Sequence, residues 1–382
     1  MLLFLLFLVS SYEDTKLTSV EDNLKVYEVP EYITEIATDF EGSTNTLERI
    51  DFIGKKVKKL SPHIFMNCYL LDSINLDKCT KLKIIPEHSF CNCSSLKYIK
   101  LPTHVRTIAR YAFFNCTRLM KIIIPQDSQL EYILNDCFSY TSIVTFTIPT
   151  KMKSVAERSF RWCVKLKTFQ INDNKFFSFE NSFLILKQIS TILTHAHGDP
   201  NPIVTIPEYV CGIYGCAFSG SNTEGFIFHK NPIQFYRQSF VEMPKLRHAD
   251  LSGANSFLMG SNIFENCTEL VSCILPKTQT YMSSGIFLNC YKLENVTLSR
   301  LCTSIGLDVF RNCTSLKFIT CTRTVWKQFQ ENYNWTSIVP TIYSEVLVRI
   351  IDITKYKCYA PFQCIRDENL LQKKHRNQLS ML

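Results

Sequence analysis

Long apolar runs are missing from this sequence. After Val9 no stretch reaches the roughly 18 residues that a membrane-crossing helix requires, so no later span is expected. Glycine is scarce, at 11 of 382 residues, and no Gly-rich loop is placed to cradle a phosphate. No Ser–His–Asp order and no paired carboxylates mark a nucleophile or an acid–base couple. Charge is thin as well. Only 20% of residues are charged, and the formal net of +8 is spread out, with one basic run, Lys373-Lys374-His375-Arg376, near the end. Nucleic-acid binding calls for a clustered basic stripe interleaved with aromatics, so no nucleic-acid partner is expected. Bulk disorder is excluded by a hydrophobic content of 46%.

What is present is repetition. Phe264-Glu265-Asn266-Cys267-Thr268-Glu269-Leu270 returns as Phe287-Leu288-Asn289-Cys290-Tyr291-Lys292-Leu293, and again as Phe310-Arg311-Asn312-Cys313-Thr314-Ser315-Leu316, each copy 23 residues after the last. A fixed period of this length belongs to stacked solenoids. Phe40, Phe65, Phe90, Phe113, Phe138, Phe160, Phe218 and Phe240 anchor further copies at local spacings of 22 to 25 residues, and Tyr333 takes the slot after Phe310. The count predicts about twelve turns with one interruption. Within a turn the motif leads into an alternating run, as in Leu96-Lys97-Tyr98-Ile99-Lys100-Leu101-Pro102. That run reads as a strand with Ile99 and Leu101 inward and Tyr98 and Lys100 outward, closed by Pro102, which has no N–H for the ladder. A second apolar pair, Val105 and Ile108, follows before the next Phe. One such strand cannot bury its own face, so the turns are expected to stack into one continuous parallel sheet.

The pattern Leu-x-x-Ile-x-Ile-Pro-x-x-Val-x-x-Ile-x-x-x-x-Phe-x-x-Cys, carried by Leu96 to Cys116 and repeated at Leu119 to Pro125 and Leu270 to Pro276, resembles the BspA-like, or treponema-type, leucine-rich repeats. The resemblance covers roughly residues 26–340. It implies a leucine-rich-repeat solenoid of the α/β horseshoe class, with short parallel strands and irregular or 3-10 convex turns. It also implies a non-catalytic, secreted or surface-associated adhesion protein whose sheet face contacts a protein or glycan. An intracellular repeat scaffold is the alternative. The expected organisation is a signal peptide over 1–11, an N-terminal solenoid with its cap over 12–170, an irregular or hairpin insertion over 171–205, a C-terminal solenoid over 206–341, a C-terminal cap over 342–365 and a flexible basic tail over 366–382. Members with a membrane span and a cytoplasmic tail differ from this chain.

Seventeen cysteines would ordinarily suggest a disulfide framework in a secreted chain. Cys68, Cys93, Cys116, Cys163, Cys267, Cys290 and Cys313 recur once per turn, however, and read as buried, inert thiols. The off-register Cys79, Cys91, Cys137, Cys211, Cys216, Cys302 and Cys321 are better disulfide candidates, and Cys358 with Cys364 is the first choice. Asn-x-Ser/Thr occurs at Asn92, Asn115, Asn266, Asn295, Asn312 and Asn334, each a glycan acceptor after export or a turn residue bonding backbone. Thr194-His195-Ala196-His197-Gly198-Asp199 resembles a metallo-β-lactamase-like ligand run, but Pro200 stands where the last His belongs. No catalytic, cofactor or metal site is expected. The outward strand positions form the candidate binding face, with Tyr98, Lys100, Ile123, His248, Asp250, Ile274 and Phe318 as contacts; a merely solvated face is the competing reading.

Overall fold

The computed structural model describes residues 12–13, 15–37, 39–195, 202–256, 259–332 and 339–342. Each turn lays down two strands. The longer ones, such as Tyr98–Lys100, Lys121–Ile123, Thr145–Ile148 and Thr168–Ile171, pair in parallel, with Ile99 opposite Ile122 and Phe146 opposite Phe169. A second parallel sheet is built from two-residue strands, Ile84–Ile85, Thr107–Ile108, Tyr132–Ile133 and Ser154–Val155. The expectation of one sheet is thus corrected: Val105 and Ile108, both fully buried, belong to the second sheet and its approach. The same alternation runs from Val26–Val29 to Phe318–Cys321, giving about thirteen turns among the described residues. The convex connections are turns, not helices. Among the described residues the one α-helix is Arg323–Asn332, and single 3-10 turns lie at Glu41–Ser43 and Lys187–Ile189.

The Phe motif has a backbone cause. In turn after turn the residues two before and two after the Phe have left-handed φ: His88 (55°) and Asn92 (63°) around Phe90, Tyr111 (56°) and Asn115 (57°) around Phe113. Asparagine tolerates this region better than most residues, which explains its place in Phe-x-Asn-Cys. Its side chain does not bond backbone. The Asn92 amide donates to Asn67 Oδ1 at 2.7 Å and Asn115 to Asn92 at 2.9 Å, and Asn289 and Asn312 do the same on Asn266 and Asn289. The cysteine beside it is also more than a small apolar filler. Cys93, Cys116, Cys267 and Cys290 each donate to the carbonyl of the Phe one turn earlier, at 2.9–3.1 Å. Thr141, in the same slot, donates instead to Phe138 O of its own turn, at 2.8 Å. Between the sheets the Phe rings stack, Phe90–Phe113 at 5.1 Å and Phe264–Phe287 at 5.7 Å, with nearly parallel planes in both cases. Full burial of each such side chain is worth about 1.5–3 kcal/mol.

The insertion does not stand off the coil. Phe177–Glu180, Phe183–Leu186 and Thr191–His195 form an antiparallel meander whose last strand pairs in parallel with Gly212–Ile213. Its side chains face two ways. Phe177 and Leu184 pack into the core of the preceding turns, and Phe183, Ile185 and Ile192 into the core of the following ones. It is a partition, buried on both sides. Asn174 fixes its entry: the buried amide donates to Pro149 O and Met152 O, each at 2.8 Å, and its Oδ1 accepts from Phe176 N and Phe177 N.

After Phe310 the next ring in the stack is Phe329, on the helix, at 5.4 Å. Tyr333, assigned to that slot from sequence, lies outside the described residues, as do the signal at 1–11, nearly all of the cap and the tail. Among the described residues no helix is long and apolar enough to cross a membrane.

Candidate interaction surface

The long-strand face displays every second residue outward, and parallel register aligns these residues in rows about 4.8 Å apart from strand to strand. The seven contacts expected from sequence all occupy it, but in two patches on either side of the insertion. In the first, Tyr98 stands 54% exposed. Lys100, opposite Ile123, is tied to Asp77 at 2.8 Å. Ile123 is half-buried. The second patch is a two-row grid on four strands. One row runs His248, Ser272, Asn295, Phe318 and the other Asp250, Ile274, Thr297, Thr320. His248 Nδ1 meets Ser272 Oγ at 2.8 Å, and the Asp250 carboxylate accepts from Ser252 N at 2.8 Å. Phe318 is 47% exposed. A large aromatic held open by a rigid strand loses little entropy on contact, which suits it as an anchor.

Two apolar members of this face were missed. Ile203 and Ile227 lie on adjacent paired strands and are both exposed, Ile227 by 55%. The alternation Ile203-Val204-Thr205-Ile206 before Pro207 carries the signal, since it places Ile203 outward once Val204 is buried.

The sequons divide by position. Asn92, Asn115, Asn266 and Asn312 sit in the amide ladders, and Asn295 lies half-buried on the long-strand face. Asn334, Cys358 and Cys364 lie outside the described residues, as do His197 and Asp199, and of His195 only the backbone is described. All fifteen described cysteines are free thiols. This corrects the disulfide expectation for Cys79, Cys91, Cys137, Cys211, Cys216, Cys302 and Cys321. Cys211 is exposed and Cys313 half-buried; the other thirteen are buried. Burial pushes the Cys68, Cys79 and Cys267 thiols up to about 12, and thiols held that high are poor nucleophiles at neutral pH. Brief iodoacetamide treatment of the native protein should therefore label Cys211 first, the half-buried Cys313 more slowly, and spare the buried cysteines. Prompt labelling of Cys93 or Cys116, read by peptide mass spectrometry, would contradict the enclosed thiol row. Among the described residues no three His, Cys, Asp or Glu are grouped to hold a metal ion.

The model of the BspA type leucine rich repeat region matches residues 19–130, 83–199 and 200–317. No curated protein matches the chain. Among solved structures, a leucine rich cell surface protein from Faecalibacterium prausnitzii is similar over 84% of this chain and 88% of its own, at 22% identity and a TM-score of 0.66. The pneumococcal vaccine antigen PcpA is similar over 83% and 85%, at 16% identity and a TM-score of 0.56. A leucine-rich repeat protein from Eubacterium ventriosum is similar over 82% and 88%, at 16% identity and a TM-score of 0.50. At these identities the likeness is one of fold.

Proposed function

Since this chain belongs to the BspA-type leucine-rich-repeat family, a non-enzymatic solenoid whose product is surface, we propose that it is an exported, surface-associated adhesion protein that holds a protein or glycan on its long-strand face. The observation that carries this reading is the field of outward hydrogen-bonding side chains studded with open apolar anchors: Tyr98 in one patch, Ile274 and Phe318 in the other. Interfaces are built in this way, with a few buried anchors inside a polar surround. The names of two structural neighbours, a cell surface protein and a vaccine antigen, support placement outside the cell. Glycan at the sequons belongs to the same proposal. It is disfavoured at Asn92, Asn115 and Asn312, whose amides already donate within the ladders.

The test is an array of matrix proteins and glycans probed with the native chain and with Tyr98→Ala and Phe318→Ala. An anchor of this kind is worth about 2 kcal/mol, so capture should weaken roughly 30-fold, while the melting temperature stays within a degree or two because both side chains are exposed. Equal capture by wild type and variants would remove these residues from the site.

The free thiols favour a second reading, an intracellular scaffold, because reduced cysteines are the norm in reducing compartments. Mass spectrometry of the native protein separates the two. Export predicts removal of residues 1–11 and occupied sequons; the scaffold keeps Met1 or its processed form and carries no glycan.

A further inference from the structure

The sequence shows no basic stripe, yet the fold assembles one. Residues 55–121 hold thirteen Lys and Arg against Asp72, Asp77 and Glu87, a net of +10, where the whole chain nets +8. Within this region three consecutive turns carry a similar triplet, an apolar residue flanked by Lys, Arg or His, just before a short strand: Lys56-Val57-Lys58, Lys81-Leu82-Lys83 and His104-Val105-Arg106. In each the central residue is buried and both neighbours are exposed. Arg106 N donates to Lys83 O at 2.7 Å, which sets the second and third triplets in register, and Phe65 N donates to Ser89 O at 2.9 Å, which stacks the first of these turns on the second. The outcome is a grid of two columns over three stacked turns, with the second and third rows about 4.8 Å apart. It has clear borders. The preceding turn places Tyr32 and Thr34 in these positions, and the following turn Gln129 and Glu131. Among the described residues none of the six forms an ion pair, whereas the nearby Lys59 and Lys100 are held by Glu35 and Asp77.

Packing five unneutralised cations side by side is unfavourable without a counter-charge. We propose that this grid is a second binding surface, distinct from the long-strand face, and that its ligand is a linear sulfated polysaccharide. The chemistry selects among polyanions. Single-stranded nucleic acid is held by rows of aromatic side chains on which successive bases stack, and the grid offers a single ring, His104, beside five Lys and Arg. Duplex DNA is read by a helix or ribbon that enters a groove, and a flat sheet face offers neither. Clustered cations are drawn to anionic lipid by charge, but firm surface binding adds apolar side chains pushed between lipids, and the apolar members here, Val57, Leu82 and Val105, are turned into the core. Regularly spaced cations on a rigid face match a chain of regularly spaced sulfates. This surface does not rest on the reading of the long-strand face, and either can fail alone.

The experiment uses the full chain on immobilised heparin across about 50 to 200 mM salt. Wild type should bind with a steep salt dependence. Replacing Lys56, Lys58, Lys81, Lys83 and Arg106 with Gln should weaken binding at least ~100-fold and flatten the log–log salt slope by about four. Replacing the exposed Lys151, Lys167, Lys245, Lys277 and Lys327 with Gln should leave affinity within about threefold, since these positions lie outside the grid. In wild type, lysine acetylation should be blocked by heparin at Lys58 and Lys83 and continue at Lys245 and Lys277, which reads the surface without any substitution. Equal loss in the two variants, uniform protection, no retention on heparin, or tighter binding to duplex DNA or phosphatidylserine vesicles at the same salt would each overturn the proposal.

Discussion

Glu242→Ala is expected to destabilise the protein by about 3 kcal/mol and to split its thermal unfolding into two transitions. The reason is the position of this carboxylate between the two cores. Arg161 reaches it with two guanidinium nitrogens, Nε to Oε2 at 2.7 Å and Nη2 to Oε1. Trp162 Nε1 donates at 2.8 Å and Ser219 Oγ at 2.9 Å. Arg161 and Trp162 lie before the insertion and Ser219 and Glu242 after it, so one carboxylate fastens the two stretches of solenoid. Arg161 also lies over Tyr140, which stacks on Trp162. Gly220, with φ of +76°, leaves room for the Trp162 ring, 2.8 Å from where a Cβ would stand. In a stacked array cooperativity depends on the contact between neighbours, so removing the fastener should uncouple the cores. A single calorimetric transition with unchanged midpoint would refute this.

The same cluster sets an acid limb. Burial opposes ionisation of Glu242, but the Arg161 pair and the Trp162 and Ser219 donors outweigh it and hold the carboxyl below its usual range. Its stabilising contribution is complete above the unfolded value of about 4.3 and is lost as pH falls through the lower folded value. In Glu242→Gln this loss is absent, so the stability gap between wild type and variant should narrow as pH drops below about 4.

Phe113→Ala should cost about 3–5 kcal/mol. The ring is fully buried and stacked on Phe90 at 5.1 Å and Phe138 at 5.6 Å. Alanine would leave a void between turns whose backbones are pinned by ladder bonds from Phe113 N to Cys137 O and Phe90 N to Ala112 O. The site can therefore collapse little. Phe113→Leu, which keeps most of the volume, should cost about 1.5 kcal/mol. Denaturant unfolding measures both. A loss below about 1 kcal/mol for alanine would mean that the ring stack is not the shared core.

The repeat announced most of the architecture. Phe90, Cys93, Leu96, Ile99 and Leu101 were identifiable as interior because side-chain periodicity in a strand is local. The second sheet was not identifiable, since strands of two residues such as Thr107–Ile108 are too short to show alternation. The run Phe183-Leu184-Ile185-Leu186 did hold a clue. A strand apolar at every position is buried on both faces, which is how it serves as a partition. Of the interaction surface, outward positions such as Tyr98 and Phe318 were readable, but their separation into two patches depends on where the insertion falls.

The sequence by itself determined which residues turn inward and how often the chain coils, because a repeated local pattern imposes a repeated local conformation. Only the tertiary structure decided which distant side chains become neighbours. Lys83 and Arg106, whose backbones are bonded at 2.7 Å, are separated by 23 residues, and Arg161 and Glu242 by 81. Stacking converts those intervals into contact distances, and no local preference of the chain records them.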